Sequence, residues 1–241
     1  ATTGKYYRLT ADVDLSAKSW YFGNFTNNSD DNVFNGSFDG AGHKIYGLNI
    51  VNPNFSWGLC TGLFPVIGNN AHIKSIGIIG ANIDVTNQWH NDSRAGFIFG
   101  GATLTNSWNA EDNTWYNSDI VSVEYCYVDS TSKMAAGYSG GIGGVVTSGY
   151  EGQGFIRISN CGIAAEFDDD DYACGGIGDI WNAEALYDRL YTVSDFSGKN
   201  AHRRLAYAYS CAHLSEDELN AGAVYLDPEK MTGEAAAQNM A

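Results

Sequence analysis

The sequence predicts an all-β protein whose chain is wound as a parallel β-helix, a solenoid with inserted loops. A glycine followed by an apolar run recurs at intervals of roughly 35 to 45 residues, a period typical of solenoids, propellers and arrays. Each unit then passes through a turn into alternating apolar and polar residues, with no helical period. Propeller blades need four hairpin-linked strands and a closing ring, so these short strands favour the β-helix. The units open at Gly62, Gly96, Gly141 and Gly176.

The stretch FNGSFDGAGHKIYGLNI, residues 34–50, is one edge of such a coil. We expect Phe34 and Phe38 to point inward, and the apolar residues after the turn to belong to the next strands. In the turn, Gly40 and Gly42 allow a positive φ, and Asp39 caps the turn through its own side chain. The apolar residues after the turn are Ile45, Leu48 and Ile50.

Composition excludes several classes of function. The net charge is −15, and the 13 lysines and arginines are spread along the chain, so no basic patch predicts nucleic-acid binding. The same charge repels anionic membranes, and no apolar run is long enough to predict a transmembrane helix. The chain has no signal peptide at Ala1, and we expect it to be a mature or excised piece of a longer protein.

We predict two segments. Residues 1–214 form the repeat domain, which carries its longest insertion at residues 86–119. Residues 215–241 form short helices, because Ser215 and Asp227 are suitable N-caps and Pro228 suits a first helical position. These helices would cover the open edge of the last coil or form a linker.

The insertion differs chemically from the rest of the chain, because aromatic rings stand among amides, hydroxyls and carboxylates. Aromatic rings stack on the apolar faces of sugars, and aromatic residues are also enriched at protein interfaces. The alternative is that the rings pack over the open side of the solenoid as a small satellite core. The predicted ligand-binding residues are Trp89, Trp108, Trp115 and Tyr116, near His90 and Arg94.

The densest charge run is EFDDDDY, residues 166–172. Consecutive carboxylates suit Ca²⁺, although the spacing matches no EF-hand, and a solvated acidic loop is the alternative. The candidate metal ligands are Asp168, Asp169, Asp170 and Asp171, and Ca²⁺ is the only cofactor that the sequence indicates. A polysaccharide-cleaving enzyme would instead need acids that converge in a groove. The acids that could converge are Asp129, Glu166, Asp168 and Asp170.

The five cysteines form no CxxC pair, which leaves a zinc or redox motif unsupported. Cys126, Cys161 and Cys211 occupy similar strand positions and should stack in register. Buried free thiols are one interpretation, and a Cys126–Cys161 disulfide is the other. Cys60 and Cys174 each stand two residues before a unit glycine and are not expected to pair.

The segments YYRLTADVDLS, FNGSFDGAGHKIYGLNI and GLFPVIGNNAHIKSIGI resemble the start of GLUG-type repeat regions. The resemblance is close over residues 6–83 and looser to about residue 196. Trp20-Tyr21-Phe22-Gly23 departs from the W-x-P-I-G that such regions often carry. The resemblance implies a right-handed β-helix in a large bacterial cell-surface or secreted protein, adhesin-like and without catalytic residues of its own.

The sequence therefore predicts a non-catalytic module that binds a glycan or a host surface protein. One alternative is a structural stalk or filament module that associates with copies of itself. The other is a β-helix hydrolase or lyase that degrades polysaccharides. A fold alone does not choose among these functions.

Overall fold

The computed structural model describes residues 4–20, 33–51, 60–86, 93–104, 107–109, 111, 114–116, 121–148, 154–168, 172–173, 176–181, 183–192 and 211–212. Across these ranges the protein is all-β, with 26 strands and no helix. The helices predicted in the segment 215–241 lie outside the described residues.

Eleven strands form the large sheet. They are β1 (Tyr6–Arg8), β2 (Val13–Asp14), β4 (Ser37–Asp39), β5 (Lys44–Tyr46), β9 (His72–Lys74), β10 (Gly77–Ile79), β16 (Val121–Glu124), β17 (Tyr127–Val128), β21 (Gly154–Ile163), β25 (Ala183–Thr192) and β26 (Cys211–Ala212).

Three smaller sheets complete the stack. The second sheet contains β6 (Asn49–Val51), β11 (Asn82–Asp84), β18 (Lys133–Ala135) and β22 (Glu166–Phe167). The third sheet contains β7 (Cys60–Thr61), β12 (Arg94–Gly96), β19 (Tyr138–Gly140) and β23 (Tyr172–Ala173). The fourth sheet contains β3 (Val33–Phe34), β8 (Phe64–Ile67), β13 (Phe99–Leu104), β20 (Gly143–Ser148) and β24 (Ile177–Trp181).

All strand pairs within these four sheets are parallel, and the chain enters the sheets in one repeating order. After the fourth sheet it contributes two short strands to the large sheet, then one each to the second, third and fourth. In the last passes one long strand, β21 or β25, replaces the two short ones. One traverse of the four sheets is called a pass. Each strand inside a sheet therefore pairs with its counterparts in the preceding and following passes, and each strand at the end of a sheet pairs with one of them.

The core lies on the inward side of these strands, where apolar residues stack on one another. In the large sheet, Ile45 pairs with Ile78, Ile78 with Val128, and Val128 with Ile163, and all four are buried. Each such residue contributes about 1.5–3 kcal/mol by leaving water. Lys44 and Tyr46 flank Ile45, and Tyr127 and Asp129 flank Val128, so in these two strands apolar and polar residues alternate.

Glycine allows the third and fourth sheets to approach closely. A Cβ on Gly140 would overlap the carbonyl oxygen of Gly143, and one on Gly96 would overlap the backbone of Gly143. Gly96 pairs with Gly140, so the prediction that placed Gly141 at this repeat position is wrong by one residue. Gly176 is also out of register with Gly96, since Ile177 pairs with Gly143. Adjacent glycines in the sequence left the register ambiguous.

The stretch 34–50 folds largely as predicted. Phe34 and Phe38 pack against the core, and the apolar residues after the turn are buried. The backbone N–H of Ala41 donates to Asp39 Oδ1 at 2.8 Å, which confirms the cap. Positive φ falls on Ala41 and Gly42, whereas Gly40 is needed because a Cβ there would overlap Ser75.

Candidate ligand-binding surfaces

The predicted insertion 86–119 is divided by the structure. Arg94–Gly96 and Phe99–Leu104 are strands β12 and β13 of the third and fourth sheets, each paired on both sides. This part of the segment is therefore not an insertion. The added structure is a separate antiparallel hairpin of β14 (Ser107–Asn109) and β15 (Thr114–Tyr116).

The hairpin brings two of the predicted aromatic residues together. Trp108 and Trp115 are register partners in the antiparallel ribbon, and Tyr116 pairs with Ser107. Trp89 lies outside the described residues. The binding role of the four predicted residues stays a prediction.

Arg94, predicted to lie in the insertion, is buried beside Asp179. Its Nε lies 3.7 Å from Asp179 Oδ2, and its guanidinium lies 4.8 Å from the ring centroid of Trp181 and 5.5 Å from that of Tyr138. Trp181 is nevertheless 54% exposed, which makes it a surface aromatic that the sequence analysis did not single out. Trp181 is exposed because it ends strand β24, whose first three residues are buried. The local sequence does not show this position.

The acidic run is described only in part. Glu166 is exposed and pairs with Lys133 Nζ at 2.8 Å, and Asp168 is exposed. Asp169, Asp170 and Asp171 lie outside the described residues. Within the described part of the chain, no group of three or more histidine, cysteine, aspartate or glutamate side chains could hold a metal ion. The Ca²⁺ site remains a prediction.

Asp129 takes a structural role in a turn. Its carboxylate accepts bonds from the Gly80 N–H at 3.0 Å, the Ser132 hydroxyl at 2.6 Å and the Thr131 hydroxyl. Gly80 belongs to the preceding pass, whereas Glu166 belongs to the following one. Asp129 is therefore engaged in its turn, and the convergence of Asp129, Glu166, Asp168 and Asp170 stays a prediction.

The outer face of the second sheet carries an open groove of about 540 Å³. Two rows of side chains cross it, because outward residues of parallel strands stack in register about 4.8 Å apart. Within the groove the first row is Asn82, Lys133 and Glu166, and the second includes Asp84 and Ala135. Asn49 and Val51 continue the two rows on the adjacent strand β6. The residues between the two rows point inward to the core.

Hydrogen bonds order this surface, here called the second-sheet groove. Asn82 Nδ2 donates to Asn49 Oδ1 at 3.1 Å, so the amides of adjacent passes are linked. Asp84 Oδ1 accepts the Thr86 hydroxyl at 2.8 Å. With the Lys133–Glu166 pair, the groove presents amide, carboxylate and ammonium groups from adjacent strands. Such groups can donate to and accept from the hydroxyls of a bound ligand.

Cys60, Cys126 and Cys161 are buried, and none of them forms a disulfide. Cys126 immediately precedes β17, and Cys161 immediately precedes Gly162, which pairs with Tyr127 of β17, so the two cysteines are neighbours in register, as predicted. Cys161 pairs with Leu190, and Leu190 pairs with Cys211, so Cys211 stands two passes beyond Cys161. Burial, reinforced by the hydrogen bond with Cys126, raises the pKa of Cys161 well above the usual thiol range. Burial raises the pKa of Cys60 to about 12.

Fold and surface together define a protein of stacked parallel strands that presents ordered polar side chains on its outer faces. No family model, curated protein or solved structure matches the chain. Among the described residues, no helix has the length and apolar character required to cross a membrane.

Proposed function

We propose that the stacked sheets are the faces of a right-handed parallel β-helix of the GLUG type. The repeating order in which the chain enters the four sheets supports this proposal, because a solenoid returns to each face once per coil. The inward ladders of isoleucine and valine support it as well. The handedness rests on the resemblance of residues 6–83 to GLUG-type regions.

The function that the geometry supports best is non-catalytic glycan binding by a module of a bacterial cell-surface or secreted adhesin-like protein. The second-sheet groove carries this proposal. It is an open surface across three adjacent strands, and each of these strands contributes polar groups that can form hydrogen bonds. A linear polysaccharide presents hydroxyls at a regular spacing, so a chain lying across the strands meets a polar group on each of them.

The hairpin β14–β15 is the second part of the proposed binding surface. The backbone register of the ribbon pairs Trp108 with Trp115. Aromatic rings provide apolar area for stacking on sugar rings. The hairpin also leaves the sheets, as binding segments on rigid scaffolds commonly do.

A host surface protein is the other partner that the same groove would fit, and self-association is the structural alternative. The latter is favoured by the position of β1 at the end of the large sheet, where Tyr6 and Tyr7 are 58% and 38% exposed. Open parallel edges can pair with another chain. This alternative predicts a concentration-dependent increase in mass, whereas the glycan proposal does not.

The test is binding of the isolated chain to a broad glycan and mucin array. The variants are an Asn82→Ala/Lys133→Ala double substitution in the groove, a Trp108→Ala/Trp115→Ala double substitution in the hairpin, and Lys18→Ala as an exposed control. We expect the groove variant to lose about tenfold in affinity, since each hydrogen bond contributes about 1 kcal/mol. The control should bind as the wild type does.

Folding of each variant is checked first by far-ultraviolet circular dichroism. Loss of binding in the hairpin variant alone would place the site on the hairpin. The absence of binding by the folded wild type to every glycan on the array would sink the glycan proposal and leave self-association as the next function to measure.

A further inference from the structure

A second groove, of about 400 Å³, lies on the outer face of the large sheet. It crosses five successive parallel strands, β1, β4, β9, β16 and β21. One residue of each strand forms a continuous row across it: Tyr6, Ser37, His72, Ser122 and Arg157. At about 4.8 Å per strand, the row extends about 19 Å, the dimension of an extended oligomer rather than of a compact ligand.

A second row, made of charged residues, lies beside the row that runs from Tyr6 to Arg157. Its positive and negative side chains are neighbours and largely balance one another. Arg8 is level with Asp39, Asp39 with Lys74, and Lys74 with Glu124, so positive and negative charges alternate along it. Asp39 accepts the Tyr6 hydroxyl at 2.8 Å and lies 3.7 Å from Lys74 Nζ. Glu124, the other acid of the groove, has Lys74 as its register neighbour.

Arg157 differs from these charges. It is exposed, and the residues level with it on the two neighbouring strands are Ser122 and Leu186, neither of which is acidic. It forms no ion pair with the described acids. The chain has 28 acidic residues against 13 basic ones, so a guanidinium in a groove without a carboxylate partner is an unusual arrangement.

His72 occupies an ordered position next along the same row. Its Nδ1 lies 3.0 Å from the Ser122 hydroxyl, which orients the imidazole between Ser37 and Ser122. Its other nitrogen, Nε2, remains for a ligand. Three consecutive strands therefore carry the guanidinium of Arg157, the hydroxyl of Ser122 and an imidazole nitrogen of His72.

From this arrangement we propose that the large-sheet groove binds an acidic polysaccharide and that Arg157 receives a carboxylate of one uronate residue. A planar guanidinium matches a carboxylate through two parallel hydrogen bonds. His72 and Ser37 would bond hydroxyls of the neighbouring sugars, and Ser122, which is only 6% exposed and lies 3.0 Å from His72 Nδ1, orients the imidazole. The inference rests on the proposed glycan-binding role of the chain, and it adds a second surface with a defined charge preference.

The test uses galacturonate hexamers and alginate hexamers, each beside its carboxyl-reduced, neutral form, and measures affinity by calorimetry. The wild type should bind at least one acidic hexamer and bind its reduced form at least tenfold more weakly. Arg157→Gln should weaken binding of the acidic hexamer by about tenfold and leave the reduced form unaffected. Arg157→Lys should recover only part of the loss, because an ammonium lacks the fork.

Lys18→Gln removes one positive charge from an exposed turn and serves as the matched control, which should bind as the wild type does. Equal binding of acidic and reduced hexamers, no binding of either acidic hexamer, or unchanged binding by Arg157→Gln would each overturn the inference. Neutral glycans bound through the second-sheet groove without any acidic preference would leave the proposed function standing. An acidic preference lost only in Arg157→Gln would support this groove even if the second-sheet groove bound nothing.

Discussion

The side chain of Asp39 stabilises its own turn and contacts residues on both neighbouring strands, β1 and β9. Its carboxylate accepts hydrogen bonds from the Ala41 N–H and the Tyr6 hydroxyl. It also forms an ion pair with Lys74. Burial alone raises the pKa of Asp39, but these three partners outweigh burial and hold the pKa below the ordinary 3.8. Asp12 and Asp14 act similarly at the surface, where each accepts a backbone N–H bond, from Lys44 and Ser16.

Asp39→Asn should lower the free energy of unfolding at pH 7 by about 1–2 kcal/mol, because it removes a charged acceptor. Since the folded pKa is depressed, the contribution of Asp39 is present above the unfolded pKa of 3.8 and is lost as the pH falls below it. Urea denaturation at pH 7 and at pH 2.5 should therefore show a difference that shrinks in acid. A difference that persisted in acid would contradict this account. Asp188→Asn, in an exposed pair with Arg189, should cost less than 1 kcal/mol at pH 7.

The buried thiols give a second prediction at this scale. At pH 8.5 an unperturbed thiol is about half ionised, whereas one with a pKa of about 12 is ionised roughly a thousandfold less. Iodoacetamide should therefore leave Cys60 and Cys161 unmodified in the folded chain, and burial should shield Cys126 from the reagent. All three should be alkylated in guanidinium, as read by peptide mass spectrometry. Rapid alkylation of Cys126 or Cys161 under native conditions would show that these two strands are not buried.

At the scale of elements, the strands could be predicted and their register could not. The alternation of apolar and polar residues is local, so Ile45 and Ile50 could be assigned to strands from the sequence, and both are buried. Register depends on the lengths of the connections, which no local pattern constrains. His72 and Ser122 are 50 positions apart, whereas Asn49 and Asn82 are 33 apart, although both pairs lie one pass from each other. The tandem glycines at 140–141 then allowed a slip of one residue.

The absence of a local register signal also explains why the predicted insertion 86–119 included two strands of the sheets. Strands β12 and β13 stand between polar segments rich in asparagine and tryptophan, and composition alone merged them with the hairpin. In the preceding pass, residues 68–71 connect β8 to β9, whereas the hairpin occupies the equivalent connection between β13 and β16. The added length thus lies at one corner and leaves the pairing on both sides intact.

Gly140→Ala tests the close approach of the third and fourth sheets. The added Cβ would meet backbone of Gly143 and Gly178, which cannot move without disturbing the pairing of both sheets, so we expect a cost of about 2 kcal/mol or more. At Gly176 the Cβ would meet only side-chain atoms of Tyr187 and Leu190, which have more freedom to adjust. Thermal unfolding should therefore show a larger fall in Tm for Gly140→Ala than for Gly176→Ala. Equal falls would mean that the sheets are not in backbone contact there.

At the scale of the whole molecule, the surfaces arise from stacking and could not be predicted from the sequence. Asn49, Asn82, Lys133 and Glu166 are dispersed along the chain and form one row only because each lies on the same outward position of a successive strand. Arg157 joins Ser122 and His72 in the same way. Local sequence patterns instead favoured residues that lie close together along the chain, namely the acidic run and the tryptophans of the insertion. A rigid stack converts dispersed residues into continuous grooves, which is the physical basis of the proposed binding role.

The most direct test of that role is amide chemical-shift mapping of the ¹⁵N-labelled chain, titrated with the oligosaccharide that gives the strongest signal on the glycan array. The account predicts saturable shifts that cluster on β11, β18 and β22, at Asn82–Asp84, Lys133–Ala135 and Glu166–Phe167, and that are reduced in the Asn82→Ala/Lys133→Ala variant. Shifts confined to other faces of the molecule, or no shifts at saturating oligosaccharide, would contradict it.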